Sequence, residues 1–215
     1  MSSVLQNVMV EQPSSVDDNV LLGYRTGRAI PSQALNIGPN ATIRSGSVIY
    51  AGTTIGSGLN TGHNVIIREE NSLGDDVSIW SNSHIDYGCH IGNNVIIHTS
   101  VYVAQFTVIE DDAFLAPGVM IANDPHPRCE ACTRESAPQI RKGARIGANV
   151  TRLPDVVIGE YALVGAGSVV TKDVPAQAVI YGNPAHVAKS IDDLTCPHDP
   201  DKRAYVNGLD RNSRS

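Results

Sequence analysis

A chain of 215 residues with 16 Lys and Arg against 22 Asp and Glu, a formal net charge of -6, is sized for one mildly acidic domain. It lacks the basic excess of a dedicated nucleic-acid binder, so no nucleic-acid partner is expected. Apolar residues make up 41%, enough for a core, yet aromatics number only two Phe, one Trp and seven Tyr, so aliphatic side chains must fill it.

The first twenty residues carry no Lys or Arg before a short apolar stretch and then turn acidic, which does not read as a secretory signal. No run approaches the roughly eighteen apolar residues of a membrane span, so no membrane partner is expected. Four cysteines are too sparse for a disulfide scaffold and suit a reducing compartment, which makes the cytoplasm the expected location. Residues 1–36 show no repeat and are expected to form an N-terminal cap segment.

A six-residue period begins at Ile37 and runs through Ile43, Ile49, Ile55, Thr61, Ile67, Leu73, Ile79, Ile85, Ile91, Ile97, Val103, Ile109, Leu115 and Ile121. Small or apolar residues such as Ala41, Ser47, Thr53, Val65 and Cys89 stand two places earlier, and Gly, Asn or Asp fill the intervening positions. Inward pairs separated by one outward residue are strand alternation, and the rest is turn chemistry. Ile37-Gly38, Ile55-Gly56, Leu73-Gly74 and Ile91-Gly92 recur every eighteen residues, which predicts three hexads per coil and residues eighteen apart stacked in parallel ladders. The coils are assigned to residues 37–121. An excursion loop follows at 122–139, because nineteen residues separate Ile121 from Ile140. The period returns over 140–182, giving an all-β, parallel β-helix of about seven coils. The segment 183–215 is expected to hold a short capping helix over residues 183–194 and a polar tail. Arg152 breaks the pattern by occupying an inward aliphatic slot, which predicts a rearranged corner, an acidic partner or a ligand phosphate.

The stretches IGPNATIRSGSVIYAGTTIG, IGNNVIIHTSVYV and IGANVTRLPDVVIGEYALVGAGSVVTKDVP, followed by YGNPA, resemble the hexapeptide-repeat acyltransferases over roughly residues 37–190. That resemblance implies a left-handed β-helix, a handedness that the general crossover rule would not predict. It also implies acetyl-CoA as co-substrate, a homotrimer, and active sites between neighbouring prisms. Outward Val48, Ile66, Ile96 and Val108 are candidates for the subunit contact. TGHNVIIREEN followed by NDPHPR is similar to enzymes that acetylate amino groups on nucleotide-linked sugars. The implied reaction is direct attack of an amine, or less readily a hydroxyl, of a small acceptor on the thioester within a ternary complex.

Such a reaction needs an activated acceptor, a donor for the developing oxyanion and close placement of both substrates. In several relatives the catalytic histidine lies on an excursion loop, and His126, set between Pro125 and Pro127, is the matching candidate for general base, with a structural or substrate-binding role as the alternative. Asp124 or Asn123 would orient its imidazole, and Arg128 or Arg134 would meet phosphate. A second group of candidates, His63, Asn64, Arg68, Glu69, Trp80 and His98, would line the acceptor site if the ligand is a nucleotide sugar, with packing on the next subunit as the alternative for Trp80. Eighteen residues per coil stacks Gly62, Trp80 and His98 on one corner, and His63 heads the adjoining column. For the donor, Ala148, Gly165, Ala166, Thr171 and Lys172 combine small corner residues, whose main chain could bond pantetheine amides, with a cation for a CoA phosphate. His186 stands where relatives often have Arg, and Lys189 is the available substitute.

No metal is expected, although Cys129, Cys132, Cys196 and His198 would make a structural zinc set if loop and tail met. Cys89, in an inward slot, reads as core. Two rival readings are a γ-type carbonic anhydrase using His84, His90 and His98, and a noncatalytic β-helix scaffold.

Overall fold

The computed structural model describes residues 7–126 and 137–205, without the side chains of 199–203. Three sheets of eight, ten and eight strands wrap one core, and successive strands step from the first face to the second to the third. One coil, for example, runs through Ser72–Leu73, Ser78–Ile79 and His84–Ile85. Pairing is parallel, with Leu73 beside both Ile55 and Ile91, and Ile79 beside both Thr61 and Ile97, so residues eighteen apart stack as the period predicts.

In the two-residue strands from Thr42–Ile43 to Val169–Val170 the second residue points inward, and the aliphatic series from Ile37 to Ile121 is buried. Thr61, the only member that is not aliphatic, keeps its slot because its Oγ1 accepts the Arg44 N–H at 2.9 Å. Corners take a left-handed residue, at Asn64, Asn82, Asn94 and Asn149 among others, where a short amide side chain tolerates positive φ. Gly56 meets a second constraint: a Cβ there would stand 2.8 Å from the main chain of Gly74, one coil on. Cys89 is fully buried, and burial pushes its thiol up to about 12, as a core position requires.

The described residues form eight coils, against the expected seven or so. Val8–Val10, Ser15–Val16 and Leu21–Tyr24 pair with Leu35–Ile37, Thr42–Ile43 and Val48–Tyr50, so the N-terminal segment supplies a complete coil. Its own hexad, Val10, Val16 and Leu22, is separated from Ile37 by fifteen residues, which throws it out of phase with the rest. At the excursion, Ile109 pairs with Ile140 and Ile121 with Arg152, thirty-one residues apart rather than eighteen.

The expected C-terminal helix is corrected. Ala185–Ser190 is a strand antiparallel to Ala178–Gly182 and extends the second face. Only Ile191–Asp193 forms a single 3-10 turn, held by a capping box between Ser190 and Asp193. The pattern that suggested a helix spans a reversal at Asn183-Pro184, beyond which the backbone of Ala185–Ser190 pairs with Ala178–Gly182.

Arg152 does lie inward, only 1% exposed, stacked between Ile121 and Val170. Its guanidinium donates to the main-chain carbonyls of Ala122, at 3.0 Å, and Val156, rather than to a carboxylate. Burial lowers its pKa to about 10, against the pull of Asp155 and Asp173.

Candidate functional site

The candidate residues divide between two edges of the prism. On the edge between the second and third faces, Gly62, Trp80, His98, Ala116, Gly147 and Gly165 follow the inward residue of successive coils. Each donates its main-chain N–H to the coil below, as in His98 to Leu115 and Gly147 to Val164. The next column holds His63, Ser81, Thr99, Pro117, Ala148 and Ala166, recorded by bonds such as Asn82 N–H to the His63 carbonyl and Gly167 N–H to the Ala148 carbonyl. One edge therefore carries His63, Asn64, Trp80 and His98 of the acceptor candidates and Ala148, Gly165 and Ala166 of the donor candidates, on consecutive coils.

The upper part of this edge is aromatic. Trp80 is 36% exposed, its ring centroid 6.2 Å from that of His98, and His98 lies 6.3 Å from Phe114 on its other side. His98 Nδ1 accepts the main-chain N–H of Thr99 at 3.0 Å. His63, two coils away and exposed, has its Nδ1 2.9 Å from Ser45 Oγ, while Asn64 donates to Asn82 Oδ1 at 3.3 Å.

The lower part is bare backbone. At other positions in this column a side chain accepts the corner N–H: Ser81 Oγ takes that of His63, and Asp17 takes that of Ser45. Ala148 has only Ala166 beneath it, and the N–H groups of Ala148 and Ala166 meet no acceptor among the described residues. Two stacked donors of this kind, with Gly165 alongside, suit the amide carbonyls of an extended ligand.

Arg68 and Glu69 lie elsewhere, on the edge between the third and first faces, and so leave the wall that His63 and Trp80 were expected to share with them. Their chemistry is also inward. Glu69 is fully buried and accepts from Thr26 Oγ1 (2.9 Å), Arg28 (3.1 Å) and Arg68 (2.9 and 3.1 Å). Burial would raise its carboxyl, but its own N–H, Arg68, Thr26 and Arg28 together hold it below the usual carboxylate range. Arg68 also meets Asp86 at 3.2 Å, and Asp86 accepts from the Tyr102 hydroxyl at 3.0 Å. Desolvation beside this carboxylate raises the Tyr102 phenol, and burial lowers the His84 imidazole. Sequence reasoning missed Thr26, Arg28, Asp86 and Tyr102; the eighteen-residue step from Arg68 to Asp86 was the available signal.

The same edge bears the excursion. Asn123, buried, donates to Gln105 Oε1 at 2.8 Å one coil away, which engages it with the scaffold rather than with an imidazole. Asp124 accepts the main-chain N–H of His126 at 2.9 Å and so shapes the turn that carries His126, whose side chain is exposed. Thr171 and exposed Lys172 end this edge two coils further on. His126 and His98 therefore stand on different edges of one chain, at neighbouring levels of the coil stack.

Arg128, Arg134, Cys129 and Cys132 lie outside the described residues. Cys196 is a half-buried free thiol, and among the described residues no three His, Cys, Asp or Glu side chains are grouped as metal ligands. His84, His90 and His98 belong to strands or corners of the third, first and second faces, so one chain does not converge them. The subunit-contact candidates also divide. Val48 and Ile66 share the third face with Tyr102, Met120 and Val169, whereas Ile96 and Val108 are on the other two. His186 packs on Tyr181, with ring centroids 5.4 Å apart, and Lys189 pairs with Val179.

Comparison with known proteins bears on the chemistry. The family model of the bacterial transferase hexapeptide (six repeats) matches residues 72–105 and 137–172. A Staphylococcus aureus (strain COL) protein, named an acetyltransferase without a stated substrate, is 38% identical over 127 residues, covering 55% of this chain and 64% of its own. The chain thus spans slightly less than two thirds of that relative. The dTDP-3-amino-3,6-dideoxy-alpha-D-galactopyranose 3-N-acetyltransferase of Aneurinibacillus thermoaerophilus is 58% identical over 48 residues, 22% of this chain and 25% of that one. In fold, the UDP-N-acetylglucosamine O-acyltransferase of Moraxella catarrhalis RH4 superposes with a TM-score of 0.58 at 20% identity, over 86% of this chain and 74% of that chain. The coil is the left-handed parallel β-helix of such enzymes.

Proposed function

The chain belongs to the hexapeptide-repeat acyltransferase family, and from that premise we propose that it transfers the acetyl group of acetyl-CoA to an amine on a small acceptor, a nucleotide-linked amino sugar. The observation that carries this reading is the pair of unengaged N–H donors at Ala148 and Ala166, stacked on the same edge as Trp80 and His98. A pantetheine arm laid along the alanines would deliver its thioester toward the aromatic end of the edge. Lys172 stands on the other edge, so in this reading it would supply a cation for the nucleotide end of a donor bound along a neighbouring copy. The amino-sugar acceptor rests on the short, strongly similar match to the dTDP-sugar N-acetyltransferase and on the NDPHPR motif.

The active species in this reading is a homotrimer. His126 and His98 occupy separate edges of one prism at neighbouring levels, so a threefold arrangement of parallel prisms would face the excursion of one copy toward the aromatic edge of the next. The amine would attack the carbonyl carbon directly, within a ternary complex, while His126 accepts its proton. A reducing cytoplasm suits the free thiols Cys89 and Cys196.

The test is release of CoA thiol from acetyl-CoA on addition of dTDP-3-amino-3,6-dideoxy-α-D-galactose, with the acetylated sugar identified by mass. Release that requires both substrates is expected. Failure with a panel of nucleotide-linked amino sugars would overturn the acceptor class.

A further inference from the structure

Among the described residues, His98 is the one imidazole on the donor edge whose proton placement is set by the main chain. Thr99 N–H donates to its Nδ1 at 3.0 Å, so Nδ1 carries no hydrogen and the neutral ring holds its proton on Nε2. Trp80 and Phe114 pack on either side of the ring, at 6.2 and 6.3 Å between centroids, which fixes its plane. The contrast with His63 is informative, because Ser45 Oγ can either donate to or accept from that ring. A base must present a lone pair to its proton. His98 instead presents a hydrogen.

We infer that His98 is a fixed hydrogen-bond donor that stabilises the oxyanion of the acyl-transfer intermediate through Nε2–H, and that it is not the base. The inference rests on the acetyl-transfer reading and deepens it. In the column that holds His98, Ala116 is one coil on and Gly147 and Gly165 follow, so a donor arm bound at Ala148 and Ala166 runs toward the imidazole. As the amine nitrogen attacks, a C–N bond forms and the carbonyl π pair moves to oxygen, where Nε2–H meets it. The pair returns as the C–S bond breaks. The proton lost by the amine passes through His126 to the departing CoA thiolate, and His98 keeps its own proton throughout. A donor held in place before the charge develops needs no reorganisation when it does.

The test combines two variants with a measurement that does not depend on turnover. Nitrogen-15 chemical shifts of the wild-type protein at neutral pH should show His98 as the Nε2–H tautomer, and an Nδ1–H signal would overturn the inference. With acetyl-CoA and dTDP-3-amino-3,6-dideoxy-α-D-galactose, His98→Ala should lower kcat on the order of a hundredfold or more with acetyl-CoA affinity unchanged. His98→Gln, which keeps an amide N–H near the same place but cannot exchange a proton near neutral pH, should recover to within about tenfold of wild type with an unaltered pH profile. Gln as inactive as Ala, or Ala as active as wild type, would refute the donor role. Absence of acetyl-CoA binding by the wild-type protein would instead remove the acetyl-transfer reading, and the inference with it.

Discussion

The Arg152 guanidinium donates to the main-chain carbonyl of Ala122 at 3.0 Å, so a buried cation in an aliphatic column ties down the residue from which the excursion departs. Its Nε has no partner among the described residues, and burial holds its pKa down at about 10, both marks of incomplete compensation. Arg152→Met, which fills the same channel without charge, should therefore melt no lower than wild type. Arg152→Ala should lose roughly 2–4 kcal/mol to a cavity. Thermal unfolding of the two variants checks the contrast, and a large loss in the Met variant would show that the carbonyl contacts outweigh desolvation.

Stacking of the coils is tested at Gly56. A Cβ there would sit 2.8 Å from the Gly74 backbone, which has no flexible end to move aside. Gly56→Ala should cost about 1–3 kcal/mol, read from denaturant midpoints. A variant as stable as wild type would mean that the coils are not packed this closely.

The Glu69 network predicts a pH signature. Its carboxyl is held below the usual range in the folded protein, so the contribution is complete above about pH 4.3, the unfolded carboxyl's value, and is lost as pH falls through the lower folded value. Glu69→Gln should lose about 2 kcal/mol or more near neutral pH, because Arg28 and Arg68 keep their charge without their buried partner. The melting difference from wild type should shrink in acid. A difference independent of pH would contradict the assignment.

Most of the fold was legible because one geometric rule, an inward aliphatic every six residues, repeats over most of the chain. It failed where an insertion broke its phase: Val10, Val16 and Leu22 obey the period, but the fifteen-residue step from Leu22 to Ile37 hides them. The helix expected at residues 183–194 failed for a different reason, since the reversal around Pro184 sets two strands antiparallel and no local propensity reports that partner. The site was only half readable. Eighteen-residue spacing placed Trp80 over His98 and Ala148 over Ala166, but grouping Arg68 and Glu69 with His63 ignored the six-residue step that carries them around to the next edge. Proton placement on His98 depends on a main-chain bond at a corner, which residue types alone do not encode.

Division of the candidates between two edges makes complementation informative. His126→Ala should lower turnover on the order of a hundredfold or more while acetyl-CoA still binds. Mixed trimers refolded from His126→Ala and His98→Ala chains should regain activity, because some sites then pair an intact loop with an intact edge. No recovery from well-formed mixed trimers would place both residues' work within one chain.

Calorimetric titration of the intact protein with acetyl-CoA, with subunit stoichiometry determined in parallel and Lys172→Ala as comparison, tests the central claim most directly. Saturable binding of about one molecule per subunit in a trimer, weakened in the Lys172 variant, is the predicted result. No heat of binding at any concentration up to the millimolar range would contradict it and leave the β-helix as a scaffold or an enzyme of another kind.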